Sequence, residues 1–145
     1  MVNLEKALVK DAKELLAIQK KCFENYSVKY GDFDSNPYYM TLHRMEFNLK
    51  YKFGHYYKVV DFKTEAIIGG IFIFELDDPH VMQIAQFYIA EEFRHMGIGK
   101  MIFEAVLEKH TEVKTWYVDT ILEEDHNVNF YKQAGFVEIE REVEH

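Results

Sequence analysis

Cysteine is nearly absent from this chain. Cys22 is the only one among 145 residues, which excludes an intrachain disulfide and any cysteine-based metal cluster and leads us to expect a reducing, cytoplasmic setting. The histidines are scattered and form no His-x-x-x-His pair, so no metal site is expected. With only two prolines and seven glycines, long flexible linkers are not expected, and the chain is read as one domain over residues 1–145. No apolar run reaches the roughly 18 residues that a membrane-spanning helix needs. The opening residues Met1-Val2-Asn3-Leu4-Glu5-Lys6 carry charge too early for a secretory signal. Positive charge is scarce as well, with 17 Lys and Arg against 25 Asp and Glu and a formal net charge of -8. Such a surface repels polyanions, so general nucleic-acid binding is not expected. It favours a cationic partner such as an amine, although acidity also serves solubility alone.

What is present is an ordinary globular balance, 48% hydrophobic and 29% charged, in a length that buries one core. Residues 4–9 read as a first strand. Asp11 reads as a helix cap, with Glu14 in the capping-box position and Leu15, Leu16, Ile18, Cys22 and Phe23 on one side of the helix that follows. Pro37 suits the first turn of a second helix, in which Tyr38, Leu42, Met45 and Leu49 recur at helical spacing, and Gly54 is a plausible stop. Residues 55–62 and 66–76 are rich in Val, Ile, Phe and Tyr and flank a short polar turn, the signature of a hairpin. The residues Asp77-Asp78-Pro79-His80 predict another turn, and 81–90 a third strand. Ile98, Met101, Ile102, Ala105 and Val106 mark an amphipathic helix over 97–110, and 113–119 a further strand. Asp125 or Asn127 can cap a last short helix through Tyr131, with Gly135 closing it and 136–143 ending as a strand. Gly69-Gly70 interrupts a bulky strand, as a bulge or a close backbone approach does. Cys22 lies on an apolar helix face and reads as a core residue.

The order is mixed α/β with an antiparallel front half. The unit 81–90, helix, 113–119 is expected to be a right-handed parallel crossover, with any ligand at the carboxyl end of its first strand. That end carries Arg94-His95-Met96-Gly97-Ile98-Gly99-Lys100. A glycine-punctuated turn leading into a helix offers several N–H groups in one direction, together with the positive end of the helix dipole, and so suits a phosphate. Glycines at 97 and 99 permit close approach to the backbone, while Arg94, His95 and Lys100 add positive charge. A lone Gly-x-Gly is weak by itself. A dinucleotide fingerprint needs a third glycine where Ile102 stands, and a P-loop needs Gly-Lys-Ser/Thr where Gly99-Lys100-Met101 stands, so both fail.

Arg94-x-x-Gly97-x-Gly99 resembles the (Gln/Arg)-x-x-Gly-x-(Gly/Ala) motif of the GNAT superfamily of acetyl-CoA-dependent N-acyltransferases. The preceding Phe87-Tyr88-Ile89-Ala90 is similar to that family's pantetheine-binding strand, and Asn129-Phe130-Tyr131-Lys132-Gln133-Ala134-Gly135-Phe136 to its C-terminal FYxxxGF element. The resemblance implies a GNAT-like α/β fold: a mostly antiparallel sheet of six to seven strands, one parallel pair splayed apart, and about four helices. It implies acetyl-CoA as co-substrate, held by main-chain groups of Phe87 and Ile89, by Tyr88 between them, by residues Arg94, His95, Met96, Gly97, Ile98, Gly99 and Lys100, and by Asn127 and Tyr131. Tyr131 would stand near the sulfur and protonate the departing thiolate. Asn127 or Asn129 would replace the asparagine that members carry where Glu124 stands here. The implied reaction is direct transfer to an amine-bearing acceptor, a small molecule or a protein amino group. A homodimer fits family habit.

Where members place a glutamate base on the fourth strand, this chain has Gln83, which cannot accept a proton at neutral pH. Glu75, Asp119 and His80 are the alternative bases, with Glu75 and Asp119 preferred equally. Gln83 also keeps open a non-catalytic acyl-CoA-binding module on the same fold. By resemblance, the region after the first helix forms part of the acceptor wall, where Tyr30, Phe33 and Tyr38 are the candidate contacts, with Gln83 a further candidate for holding the acceptor.

Overall fold

The computed structural model describes residues 2–30, 37–94 and 96–118, with side chains for 2–24, 38–94 and 96–118. Its strands are β1 (Val2–Lys6), β2 (Gly54–Asp61), β3 (Ile67–Leu76), β4 (Asp78–Ile89) and β5 (Thr115–Val118). The α-helices are α1 (Ala12–Tyr30), α2 (Leu42–Lys50) and α3 (Ile98–Lys109). The strands form one sheet in the order β1-β2-β3-β4-β5. The first four are antiparallel, and β4 and β5 form the expected parallel pair. The expected last helix and last strand lie outside the described residues.

Both faces of the sheet are covered, which explains why β3 reads as an almost unbroken apolar run. On one face Val59, Ile71, Ile73, Met82 and Ile84 pack under Ile98, Ile102, Phe103 and Val106 of α3. On the other, Tyr56, Phe72 and Tyr88 meet Ala12 and Leu15 of α1 and Met45 of α2. Leu15 and Met45 are fully buried, and each such side chain is worth about 1.5–3 kcal/mol removed from water.

Local starts and stops differ from the sequence reading in five places. The first strand is Val2–Lys6 rather than 4–9, because Val9 already belongs to a 3-10 turn. Asp11 does not cap α1: it ends a 3-10 turn (Val9–Asp11), and its carboxylate accepts from the N–H of Leu8 at 2.8 Å. The same carboxylate pairs with Lys58 of β2 at 3.2 Å, so it ties the turn to the sheet. Pro37 opens a 3-10 turn (Pro37–Tyr39), and α2 starts later, behind Thr41. The Thr41 hydroxyl accepts from the N–H of Arg44 at 3.1 Å, which satisfies a donor that Pro37 has no side-chain oxygen to satisfy. Gly54 is the first residue of β2 rather than the stop of a helix. The turn between β3 and β4 is tighter than four residues, with Asp77 at φ 42 carrying the reversal and β4 already under way at Asp78.

β4 contains an irregularity that the sequence reading missed. Phe72 faces Gln86 while the next residue, Ile73, faces Ile84, so Ala85 is an extra residue. This is a β-bulge, and it shifts the side-chain alternation by one. Ile84 and Phe87, three residues apart, both reach the α3 face.

Candidate active site

The site grows from the carboxyl end of β4. A 3-10 turn (Glu91–Phe93) follows the strand, then Arg94 in extended conformation, then Gly97 at φ 77 as the N-cap of α3. A Cβ built on Gly97 meets nothing within 4 Å. Glycine is therefore required here by the left-handed backbone and not by crowding, and the space in front of it is open. The first bond into the helix runs from the N–H of Met101 to the carbonyl of Gly97 at 3.2 Å. The N–H groups of Ile98, Gly99 and Lys100 thus have no acceptor within the helix. Buried Ile98 fixes the start of α3 against the sheet, so these amides and the positive dipole end are held in place. Met96 is 56% exposed on the outer side of this turn. His95 lies outside the described residues.

The second wall is the stretch of β4 that follows its described pairing with β5. Its described pairing with β5 runs from Val81 opposite Thr115 to Ile84 opposite Val118, so residues 85–89 extend beyond the described end of β5. The N–H of Ala90 is given to Ile68 of β3 at 2.7 Å. By alternation the main-chain groups of Tyr88 also face β3, and those of Phe87 and Ile89 face away from it. The ring of Tyr88 is buried, its hydroxyl 2.5 Å from that of Tyr56. Of the three expected contacts on this strand, Phe87 and Ile89 turn their main-chain groups to the side away from β3, and Tyr88 turns its own toward β3. Burial of the pair pushes the hydroxyls of both Tyr56 and Tyr88 above the ordinary tyrosine range, so both keep their protons.

The carbonyl of Ile89 is already engaged. It accepts from Arg94 Nε at 2.9 Å and from Cys22 Sγ of α1 at 3.3 Å. Burial, the largest influence on Cys22, raises its thiol pKa against the opposing effect of Arg94. Cys22 is thus a protonated donor and a poor nucleophile.

The remaining candidates scatter. Gln83 stands opposite Phe74 of β3, and by alternation both are on the α1 and α2 face with Ala85. Glu75 stands opposite Met82 and shares the α3 face with Ile73, so Glu75 and Gln83 are not brought together. Tyr38 lies in the 3-10 turn before α2, its ring 5.6 Å from Lys20 Nζ. Tyr30 ends α1, with its side chain outside the description. Phe33, Asp119, Asn127 and Tyr131 lie outside the described residues altogether.

His80 is held far from the glycine turn. Its Nδ1 meets the carbonyl of Glu112 at 2.9 Å, beyond the carboxyl end of α3. Beside it, Nε2 of buried His110 lies within hydrogen-bond distance of the Tyr57 hydroxyl at 2.6 Å, and its Nδ1 faces Glu112 Oε1 at 3.5 Å. The His55 ring centroid lies 4.7 Å from that of His110. Burial and the charge of His55 lower the pKa of His110, against the pull of Glu112. The unfolded chain then binds a proton more readily, its histidine titrating near pH 6.5. This contribution to stability is complete above that pH and is lost as the pH falls below it, through the lower folded value. The urea midpoint is expected to drop on acidification from about pH 7.5 to about pH 5.5, and the drop should be smaller in His110→Gln. Equal slopes for the two proteins would contradict this assignment.

Comparison with known proteins agrees with this geometry. The family model described as Acetyltransferase (GNAT) family matches residues 12–136, and the chain belongs to that family. No curated protein sequence matches it. Among solved structures, a mutant of the BH1408 protein of Bacillus halodurans is 22% identical, with a TM-score of 0.83 over 98% of this chain and 97% of that one. An acetyltransferase of the GNAT family from Staphylococcus aureus Mu50 is 22% identical, with a TM-score of 0.79 over 97% and 87%. AAC(6')-Iy, in complex with the bisubstrate analogue CoA-S-monomethyl-acetylneamine, is 16% identical, with a TM-score of 0.72 over 100% and 97%. At these identities the likeness is one of fold. The mixed sheet with its one parallel pair is the GNAT-like fold, and family membership supports acetyl transfer as the class of activity.

Proposed function

We propose that this protein moves the acetyl group of acetyl-CoA to a primary amine, on a small molecule or a protein, by direct transfer in a ternary complex. The observation that carries the reading is the junction of two sets of main-chain groups. The first-turn amides of α3 and the outward edge of β4 at Phe87 and Ile89 converge at the carboxyl end of one strand. That arrangement fits a co-substrate with a diphosphate at one end and amides along its arm. The open space before Gly97 leaves room for the diphosphate. A complex of AAC(6')-Iy, which shares this fold, with a CoA-containing analogue supports CoA as the carrier.

Acetyl-CoA supplies an acyl group already activated as a thioester. The chain has to position that group, polarise its carbonyl and manage two protons. The bulge at Ala85 lies just past the last described pairing of β4 with β5. It turns main-chain groups away from the ladder and is our candidate for carbonyl polarisation. A free alkylamine, with a reference pKa of about 10.4, costs roughly 4–5 kcal/mol to deprotonate at pH 7. We assign that proton to Glu75 or Asp119, directly or through water, because Gln83 cannot take it. The thiolate is protonated by Tyr131.

Gln83 also supports the second reading, a module that binds acyl-CoA without turning it over. Thiol release followed across a panel of polyamines, aminoglycosides, amino acids and amine-bearing peptides separates the two. Turnover on at least one amine, at or above about 1 per second, is expected. Tight acetyl-CoA binding with no release on any acceptor would leave the binding module.

A further inference from the structure

We propose that Cys22 and Arg94 are positioning residues that clamp the Ile89 carbonyl and so set the shape of the acetyl-CoA site. In this role Arg94 is a strut of the glycine turn and not the counter-charge of a phosphate. The inference rests on the acetyl-CoA reading above and deepens it.

The Ile89 carbonyl points away from β3, toward the side on which the co-substrate is proposed to lie. Left free, its negative end would sit beside an anion-binding turn. Two donors from different parts of the fold close on it instead, Arg94 Nε at 2.9 Å and Cys22 Sγ at 3.3 Å. The segment between is itself closed by main-chain bonds, from Phe93 N–H to the Ala90 carbonyl at 2.9 Å and from Arg94 N–H to the Glu91 carbonyl at 3.1 Å. The result is a compact knot at the exit of β4, bonded to α1 through one sulfur. It leads in three residues to Gly97 and the amides of α3. Arg94 is exposed, but its Nε is committed to this main-chain oxygen, which a lysine ammonium cannot imitate in planar geometry.

The test is a calorimetric titration with acetyl-CoA at low and high salt, together with steady-state kinetics, on wild type and on Cys22→Ala, Cys22→Ser, Arg94→Lys and Arg94→Gln. Cys22→Ala should bind acetyl-CoA about five- to tenfold more weakly, consistent with the loss of one hydrogen bond. Cys22→Ser, which keeps a donor, should recover most of that loss. Arg94→Lys should be as weak as Arg94→Gln despite its retained charge, with no change in salt dependence between the two. The losses should fall on the KM for acetyl-CoA several times more than on kcat or on the KM for the amine. A merely structural defect would depress all three and the melting temperature together. Wild-type affinity in Arg94→Lys, with reduced salt dependence only in Arg94→Gln, would make Arg94 a direct phosphate ligand and overturn the proposal. Wild-type affinity in Cys22→Ala would overturn it equally. If wild type itself failed to bind acetyl-CoA, the parent reading would fall and the clamp with it, an outcome distinct from either of those.

Discussion

Gly69→Ala is expected to destabilise the protein by about 3 kcal/mol or more, at the upper end of what inserting atoms into a packed interior costs. A Cβ at this position would stand 2.3 Å from the carbonyl oxygen of Tyr88 and 3.1 Å from Cα of Ile89. Both atoms are main chain, so no rotamer change relieves the clash. β4 must move away from β3, and the strand that moves carries Phe87 and Ile89. A bulge opposite Val59 and Val60 lies directly beside Gly69, so the two readings of Gly69-Gly70, bulge and close approach, both hold. Gly97→Ala is the informative contrast. Its Cβ has open space, only the left-handed backbone opposes it, and about 1 kcal/mol is expected. Urea unfolding of both variants checks the pair, and equal destabilisation would contradict the distinction between crowding and backbone conformation.

Tyr131→Phe is expected to lower turnover about a hundredfold or more while changing acetyl-CoA affinity less than about threefold, within the range for loss of a general acid. The substitution removes one oxygen and leaves the ring. A tyrosine, with a reference pKa near 10, is well matched to a thiolate, whose parent thiol titrates near 8.5, and so donates without a large mismatch. Burst and steady-state measurements on the best acceptor of the amine panel would show it. Unchanged turnover would remove Tyr131 as the acid and leave water to protonate the thiolate.

The parts of the fold carried by long apolar patterns were legible in the sequence. Ile98, Ile102 and Val106 recur because one face of α3 must be dry, although Met101, read with them, is exposed and Phe103 is buried in its stead, and β3 is apolar throughout because both of its faces are covered. The glycine turn was legible because few residue patterns place φ above zero just before a helix. What escaped depends on geometry with no composition of its own. The Ala85 bulge shows in sequence only as a slip in alternation between Ile84 and Phe87, easily taken for a fully apolar strand. Pro37 hid Thr41 as the true cap, because two adjacent start signals compete and the hydroxyl decides between them. The convergence of Cys22 and Arg94 on Ile89 joins residues far apart in the chain, which no local pattern encodes. That Glu75 and Gln83 lie on opposite faces follows from strand register, Glu75 opposite Met82 and Gln83 opposite Phe74, which no local pattern encodes.

The most direct test is an amide-resolved titration of isotope-labelled protein with coenzyme A, and separately with NAD. Coenzyme A should produce its largest shifts at the N–H groups of Ile98, Gly99 and Lys100, with smaller ones at Phe87 and Ile89. NAD, which has a diphosphate but no amide arm to lie along β4, should leave them all in place. Shifts confined to other parts of the sheet, or a response to NAD alone, would contradict the account.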